Sequence, residues 1–265
     1  SWTAPQGADG FGPLLTLDTS TTSVAGTGDF NADGKADPLF RLTSGALVTW
    51  NRAAGAAGFT LLDAAEGQQV RGIGNLVGGA GDDLLLAQGN RLNIVDGGTG
   101  TLRHLLDLAS GFSVAGVGNL DGTGGDDVLF LNGNTNSLLM LTDTSEAQPD
   151  GFVDLLQFAQ GSGWRVEAVG DFLGGGADDL LFFNTVSREL LFWDVSGGNA
   201  GFRDFIRLPE DWRLIGIGDV DGNGRDDVVL RNTGSGESIY WTGEGFLAMG
   251  STLNGVQLLG IAEFG

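Results

Sequence analysis

Residues 214–230 read LIGIGDVDGNGRDDVVL: an apolar run ending on Gly-Asp, a loop rich in glycine and aspartate, and a second apolar run. The same phrase occurs four times earlier in the chain and once, truncated, at its end. The earlier copies are VAGTGDFNADGKADPLF (24–40), VRGIGNLVGGAGDDLLL (70–86), VAGVGNLDGTGGDDVLF (114–130) and VEAVGDFLGGGADDLLF (166–182), and the truncated copy is LLGIAEFG (258–265). A recurring period of this length predicts a repeat architecture in which neighbouring units bury each other's faces.

Each repeat contains four short apolar runs separated by Gly, Asp and Asn turns. In the fifth repeat these runs cover residues 212–220, 227–233, 238–242 and 246–253. Four short strands joined by such turns are typical of a propeller blade, and no helical periodicity is sustained along the chain. We therefore predict an all-β fold, a β-propeller of four-stranded antiparallel sheets, forming a single domain over residues 1–265.

The number of first-strand copies predicts the number of blades. First strands near residues 24, 70, 114, 166, 214 and 258 predict six blades. Residues 1–20 resemble the second half of a repeat, so the last blade is expected to be closed by both termini, with residues 258–264 beside Trp2 and Leu14. That blade has no second strand in the sequence, which leaves a seven-bladed or incomplete ring as the alternative.

The charge of the chain restricts its partners and suggests a compartment. The sequence has 34 acidic and 13 basic residues, with a net charge of -21, which excludes nucleic acid and anionic lipid as main partners. No apolar run is long enough to insert into a membrane. No signal peptide stands in these residues, so either it has been removed or the protein is cytosolic. An acidic chain without cysteine fits a secreted protein that acts outside the cell or at its surface, which is the location we expect, and an oligomer is compatible with the sequence.

The loops between the first and second apolar runs are the candidate metal sites. We number them loop one (29–37), loop two (75–83), loop three (119–127), loop four (171–179) and loop five (219–227). Ca²⁺ takes six to eight oxygen ligands, and alternate residues of a turn can converge on one ion. Loops one and five each offer three carboxylates, one amide oxygen and one backbone carbonyl. These ligands are Asp29, Asn31, Asp33, the Lys35 carbonyl and Asp37, and Asp219, Asp221, Asn223, the Arg225 carbonyl and Asp227.

The other three loops are poorer in ligands. Loop three offers Asn119, Asp121, Thr123, the Gly125 carbonyl and Asp127, which predicts a weaker site. Loops two and four carry Val77 and Leu173 where a ligand is needed, so both are expected to bind no ion. The first Asp of each Asp-Asp pair is expected to cap a turn or to face solvent. These residues are Asp82, Asp126, Asp178 and Asp226.

The loop sequences also carry a family resemblance. GDFNADGKAD (28–37) and GDVDGNGRDD (218–227), each set between apolar strands, resemble the FG-GAP/VCBS repeats of integrin-α-like β-propellers. The resemblance extends over essentially the whole chain. It implies Ca²⁺ in the loop between the first two strands of a blade, and recognition of an extracellular protein or glycan.

The aromatic residues fall into two sets. Trp2, Trp50, Trp193 and Trp241 share the third-strand position, where packing between blades is the expected role. Phe112, Trp164 and Trp212 are expected to precede a first strand. This second set is less regular and supplies the candidate glycan-binding aromatics.

The catalytic inventory is small. His104 is the single histidine and there is no cysteine, so neither a catalytic triad nor a zinc site can be assembled convincingly. We expect a non-enzymatic, calcium-stabilised binding or adhesion module. The alternatives are a glycan-binding propeller lectin and a structural scaffold, assembly subunit or accessory domain of a larger protein.

Overall fold

The computed structural model describes residues 18, 20–51, 58–62, 66–142, 144 and 151–249. These residues form a β-propeller of five blades, and each blade is a four-stranded antiparallel sheet whose strands follow sequence order. Blade one contains β1 Thr22–Gly28, β2 Asp37–Leu42, β3 Leu47–Trp50 and β4 Phe59–Leu62; blade two contains β5 Gln69–Gly74, β6 Asp83–Gln88, β7 Arg91–Val95 and β8 Leu102–Asp107. Blade three contains β9 Phe112–Gly118, β10 Asp127–Asn132, β11 Ser137–Leu141 and β12 Phe152–Gln157; blade four contains β13 Trp164–Gly170, β14 Asp179–Asn184, β15 Glu189–Trp193 and β16 Phe202–Arg207; blade five contains β17 Trp212–Gly218, β18 Asp227–Asn232, β19 Ser238–Trp241 and β20 Phe246–Ala248.

The prediction of six blades is wrong, because the structure has five four-stranded sheets. The sixth blade was inferred by counting first-strand patterns, and such a pattern marks a blade only where three further strands pair with it. The residues assigned to it, 258–264 with Trp2 and Leu14, lie outside the described residues, as does their expected contact.

The blades follow one another in chain order, with their first strands next to each other along the inside of the propeller. Four clusters of buried side chains lie between successive blades. One joins Ile94 of blade two to Val128 and Phe130 of blade three. The second strands are apolar on both faces and almost wholly buried, which explains their continuous hydrophobic sequences.

A short 3-10 segment, Val195–Gly201, joins β15 to β16. Asp194 caps it by accepting a hydrogen bond from the Gly197 N–H at 3.1 Å. Within the described part of the chain, no helix has the length and apolar character needed to cross a membrane.

Candidate metal centre

All five loops connect the first strand of a blade to the second, so they lie at the same end of the propeller. Loop five gathers Asp219, Asp221 and Asp227, which can each place a carboxylate oxygen within 4.8 Å of the other two. Asp227 is buried at the first position of β18, whereas Asp221 is exposed. This arrangement places three negative charges around one point at the protein surface.

The backbone of loop five is wound around the Asp219 side chain. Its Oδ1 atom accepts hydrogen bonds from the N–H groups of Gly222 at 2.7 Å and Asn223 at 2.9 Å, and Oδ2 accepts one from Gly224 at 2.8 Å. Gly222 and Gly224 have φ values of 78° and 83°, a region that side chains other than glycine rarely adopt. The glycines of the DGNG sequence therefore allow the tight turn that brings the carboxylates together.

The buried carboxylate of Asp227 has one oxygen in use and one without a partner. Its Oδ2 atom accepts hydrogen bonds from the N–H groups of Val220 at 2.8 Å and Asp221 at 3.3 Å. Its Oδ1 atom is buried and makes no hydrogen bond. Buried polar atoms in folded proteins are normally satisfied, and an unmatched carboxylate oxygen among carboxylates is matched by a cation. The residues of loop five therefore fit a hard divalent metal ion.

Loop three has the same pattern with fewer charges. The Oδ1 atoms of Asn119 and Asp127 are both buried without a hydrogen-bond partner. Asp121 accepts hydrogen bonds from the Thr123 N–H and hydroxyl groups at 2.8 and 2.9 Å. The Gly125 carbonyl belongs to the same loop. One unmatched amide oxygen and one unmatched carboxylate oxygen suit a cation, but the two carboxylates of loop three provide less charge than the three of loop five.

Loop one differs from loop five, although its sequence offers an equal set of ligands. The Asn31 side-chain amide donates a hydrogen bond to the Asp37 carboxylate at 2.6 Å, so these two candidate ligands are bonded to each other. Asp29 accepts hydrogen bonds from the Asp33 and Gly34 N–H groups at 3.0 and 2.8 Å, while the Lys35 segment is exposed. Among the residues that the structure describes, loop five alone gathers three carboxylates, histidines or cysteines at metal-binding separation.

Loops two and four are held by their own hydrogen bonds. In loop two, the Asp83 carboxylate accepts bonds from the N–H groups of Leu76, Val77 and Gly97 at 2.8, 2.8 and 3.1 Å. In loop four, the Leu173 N–H donates to Asp179 at 2.8 Å. Each loop also keeps one buried oxygen without a hydrogen-bond partner, Asn75 Oδ1 and Asp171 Oδ1, but Val77 and Leu173 stand where further ligands to a cation would be needed.

The first Asp of each Asp-Asp pair makes a contact that the sequence did not reveal. Its carboxylate accepts the N–H of the first residue in the preceding blade's loop, and its own N–H donates to the carbonyl of that same residue. We call this two-bond contact the inter-blade clamp. The side-chain bonds are Asp82 to Asp29 (2.7 Å), Asp126 to Asn75 (2.8 Å), Asp178 to Asn119 (2.7 Å) and Asp226 to Asp171 (3.0 Å), and the backbone bonds of the same pairs measure 2.8, 2.7, 2.8 and 2.9 Å.

The clamp corrects the prediction that these aspartates face solvent or cap their own turns. It also explains the glycine of the repeated Gly-(Asp/Asn) phrase. A Cβ atom at Gly28, Gly74, Gly118 or Gly170 would lie between 2.2 and 2.8 Å from the clamping carboxylate. A sequence signal existed, because loops two and four keep both the glycine and the Asp-Asp pair while losing metal ligands. Blade one has Ala36 at the position of the clamping Asp.

Burial raises the pKa of several of these carboxyls. Desolvation raises the pKa of Asp178, a clamping residue, to about 6. It raises the pKa of Asp127 and of Asp179 to about 7, and that of Asp227 to about 6. Neighbouring carboxylates add to each shift, whereas hydrogen bonds from backbone N–H groups oppose it. Without a bound cation, the ionised forms of these groups therefore oppose folding.

The stability of the metal-free protein should fall as the pH rises. An aspartate in the unfolded chain has a pKa near 3.9. Because Asp178 and Asp179 have higher values when folded, the native state binds more protons between about pH 4 and 7, and its free energy of unfolding decreases over that window. Urea denaturation of metal-depleted protein at pH 4, 5, 6 and 7 measures this slope, and Asp178→Asn should reduce it. Stability that rises steadily from pH 4 to 7 would contradict the assignment.

The candidate glycan-binding aromatics open three neighbouring blades. Phe112, Trp164 and Trp212 are the first residues of β9, β13 and β17, and each is half-buried against a core cluster. Of the third-strand tryptophans, Trp193 is buried in the core cluster between blades three and four, Trp241 packs against the cluster between blades four and five, and Trp50 is buried. Trp193 stacks on a phenylalanine of the fourth strand with ring centroids 5.1 Å apart. Trp2 lies outside the described residues.

His104 lies in β8, the fourth strand of blade two. Its Nδ1 atom is 3.1 Å from the Leu92 carbonyl, and its Nε2 atom is 3.8 Å from a carboxylate oxygen of the exposed Asp107. Both contacts are local to the outer edge of the blade, and they link the ring to no serine or threonine hydroxyl.

Comparisons with known proteins identify the class of fold. No protein-family model matches the sequence, and no curated protein matches it. Among solved structures, the chain resembles an extracellular domain assigned to a hybrid two component system of B. thetaiotaomicron (11% identity, TM-score 0.53, 93% of this chain and 30% of that chain). It also resembles regucalcin, a calcium-binding protein of Agrobacterium tumefaciens (14%, 0.52, 85% and 74%), and Raptor of Chaetomium thermophilum (13%, 0.52, 88% and 21%). At these identities the similarity shows the fold alone, that of a β-propeller.

Proposed function

We propose that this chain is a calcium-stabilised binding module of an extracellular or cell-surface protein, and that it is not itself an enzyme. The observation that carries the proposal is the convergence of three carboxylates in loop five, one with a buried oxygen lacking a partner. The FG-GAP/VCBS-like spacing of the loops supports calcium as the ion and adhesion or recognition as the role. The extracellular origin of one structural neighbour is consistent with the proposed location.

Calcium fits loop five better than magnesium does. Ca²⁺ accepts six to eight oxygens in irregular geometry, whereas Mg²⁺ requires a compact octahedron and retains water. The Asp219 turn provides carboxylates, an asparagine amide and backbone carbonyls on a curved segment, which is the mixed oxygen set that calcium takes. The calcium-binding character of regucalcin supports the same ion, although its sequence is only 14% identical.

Calorimetric titration tests the proposal directly. Metal-depleted protein should bind Ca²⁺, with the tightest site at loop five and weaker binding at loop three. Asp221→Asn should abolish the tightest site, because it removes one of the three carboxylates. Asp221 is exposed, so the substitution leaves the buried part of the blade intact. Asp211→Asn, an exposed aspartate outside the loops, serves as the matched control. Equal calcium affinity in the Asp221→Asn variant and in the control would rule out loop five as the site.

A glycan-binding role is the second candidate, and one observation favours it. A groove between blades two and three is lined by Phe112 together with side chains that donate and accept hydrogen bonds. Neither Trp164 nor Trp212 lines that groove. We therefore expect the ligand to bind at Phe112 rather than at the other two aromatic residues.

A further inference from the structure

The groove beside Phe112 measures about 360 Å³ and lies between blades two and three. It is formed where β6 ends and β9 begins, so it is at the opposite end of the strands from the metal loops. Its volume falls at the lower end of the range for small-molecule sites. Two differences between blade two and the other blades account for the space.

The first difference is a shorter turn. β6 ends at Gln88 and β7 begins at Arg91, which leaves only Gly89 and Asn90 between them. The corresponding turns of blades one, three and four contain four residues, at 43–46, 133–136 and 185–188. Blade two therefore has less chain to cover the start of the next blade.

The second difference is a small side chain at a position that is larger elsewhere. Ala87 pairs with Gln69, as Arg41 pairs with Ser23 in blade one. The corresponding residues of the remaining blades are Leu131, Phe183 and Arg231. Ala87 is thus the smallest side chain at this position of the second strand.

At two other junctions between blades, a protein side chain occupies the equivalent space. In blade one, Arg41 donates hydrogen bonds to the carbonyls of Gly45 at 3.0 Å and Gln68 at 2.8 Å, and Gln68 corresponds to Phe112. In blade four, Arg188 donates to the carbonyls of Leu208, Pro209 and Trp212 at 3.0, 2.8 and 3.1 Å. Between blades two and three the residue equivalent to Arg188 is Asn90, whose shorter side chain reaches only the Leu108 carbonyl, at 3.5 Å, so the groove remains open.

We infer that this groove binds a neutral ring bearing several hydroxyl groups, the size of one monosaccharide. Hydroxyl groups both donate and accept hydrogen bonds, and the groove offers both kinds of partner. Ser110, Ser113 and the Asn90 amide line it, next to apolar surface from Leu108 and Phe112. An apolar wall with a few polar groups is the usual composition of a small-ligand site.

Charge selects a neutral ligand over an ionic one. Arg71 is the one charged residue that lines the groove, and its guanidinium is held by the Gln69 side chain at 2.7 Å. A cationic ligand would be repelled by Arg71. An anionic ligand would have to approach a chain with a net charge of -21. A neutral sugar is repelled neither by Arg71 nor by the net negative charge of the chain, and it can accept hydrogen bonds from Arg71.

The inference names a ligand class for the proposed binding module. It rests on the proposed function only in taking the chain to be a binding module. Because the groove and loop five lie at opposite ends of the strands, the two can fail separately. Glycoside binding that persists after calcium removal would show that the groove binds sugar whether or not loop five binds calcium.

Saturation-transfer NMR with the methyl glycosides of glucose, galactose, mannose and fucose tests the inference. At least one glycoside should bind saturably to the wild-type chain. Ala87→Arg should weaken that binding at least tenfold, because the arginine would enter the groove as Arg41 enters the equivalent space. Asn90→Ala, in the exposed turn, should weaken it roughly fivefold, about the effect of one hydrogen bond. Ser44→Ala, in the corresponding turn of blade one, should leave it unchanged.

Three results would overturn the inference: no saturable binding of any glycoside, undiminished binding by a folded Ala87→Arg variant, or displacement of the glycoside by Nα-acetylarginine amide. The last result would assign the groove to a cation. If Ala87→Arg does not fold, the comparison of Asn90→Ala with Ser44→Ala decides the question, since both substitutions lie in exposed turns. Equal affinities in that pair would count against the groove.

Discussion

Removal of calcium should lower the melting temperature of the protein by roughly 5 to 10 °C. A ligand that binds only the native state stabilises it by about 2.7 kcal/mol at a hundredfold excess over its Kd. For a chain of this size, 1 kcal/mol corresponds to roughly 2 to 4 °C. Asp219, Asp221 and Asp227 also repel one another when no ion lies between them, which adds to the effect of removal. Thermal denaturation of metal-loaded and chelated protein measures the difference.

The same experiment on variants assigns the effect to loop five. Asp221→Asn should lose most of the calcium-dependent increase, whereas Asp211→Asn should retain all of it. Asp33→Ala should lose less than Asp221→Asn, because loop one brings Asn31 and Asp37 into contact with each other. Magnesium should restore the melting temperature less effectively than calcium. Identical melting curves with and without chelator, from protein shown to start metal-loaded, would contradict the account.

Loss of the side-chain bond of one inter-blade clamp should destabilise the fold independently of calcium. Asp126→Ala leaves the Asn75 N–H without its acceptor at the contact between blades two and three. A buried donor left unsatisfied costs about 1 to 3 kcal/mol. We expect a decrease of about 2 kcal/mol in the free energy of unfolding, measured by urea denaturation at pH 7 in the presence of chelator.

Asp126→Asn is the matched control for that prediction. The asparagine keeps an oxygen in place to accept the Asn75 N–H, and it removes a carboxylate whose pKa is raised by burial. Its stability should therefore equal or exceed that of the wild type at pH 7. Asp178→Ala should behave like Asp126→Ala, even though Asp178 belongs to a loop that lacks a full set of metal ligands. An Asp126→Ala variant as stable as the wild type would show that the clamp contributes nothing.

The repeat predicted the strands well because each strand is specified by local sequence. The expected run at 212–220 corresponds to Trp212–Gly218, and the run at 227–233 corresponds to Asp227–Asn232. In the last run, 246–253, the structure places β20 at Phe246–Ala248, and residues 250–253 lie outside the described residues. The blade number could not be predicted in the same way. A blade requires four paired strands, and a count of first-strand patterns does not show whether the other three are present.

The candidate metal site was partly readable from the sequence. Alternating Asp and Asn residues identify the loops that can offer ligands, and loops two and four visibly lack them. The difference between loops one and five depends on where the Asn31 amide points, which sequence spacing does not determine. The clamps join residues 51 to 59 positions apart, so recognising them requires knowing which blade follows which.

The groove beside Phe112 could also be predicted only in part from the sequence. The short turn and Ala87 are both visible when the repeats are aligned. Their consequence depends on the neighbouring blade, because Arg41 and Arg188 fill the equivalent spaces by reaching carbonyls of the blade that follows. Only the packed structure shows that such a space is left open.

Crystallographic location of the ion tests the central claim most directly. Crystals grown from calcium-loaded protein should show an anomalous peak in loop five, coordinated by Asp219, Asp221 and Asp227, with the Asp227 Oδ1 atom among the ligands. The peak should disappear from crystals of Asp221→Asn. A well-ordered loop five that holds only water in crystals soaked at millimolar calcium would contradict the account.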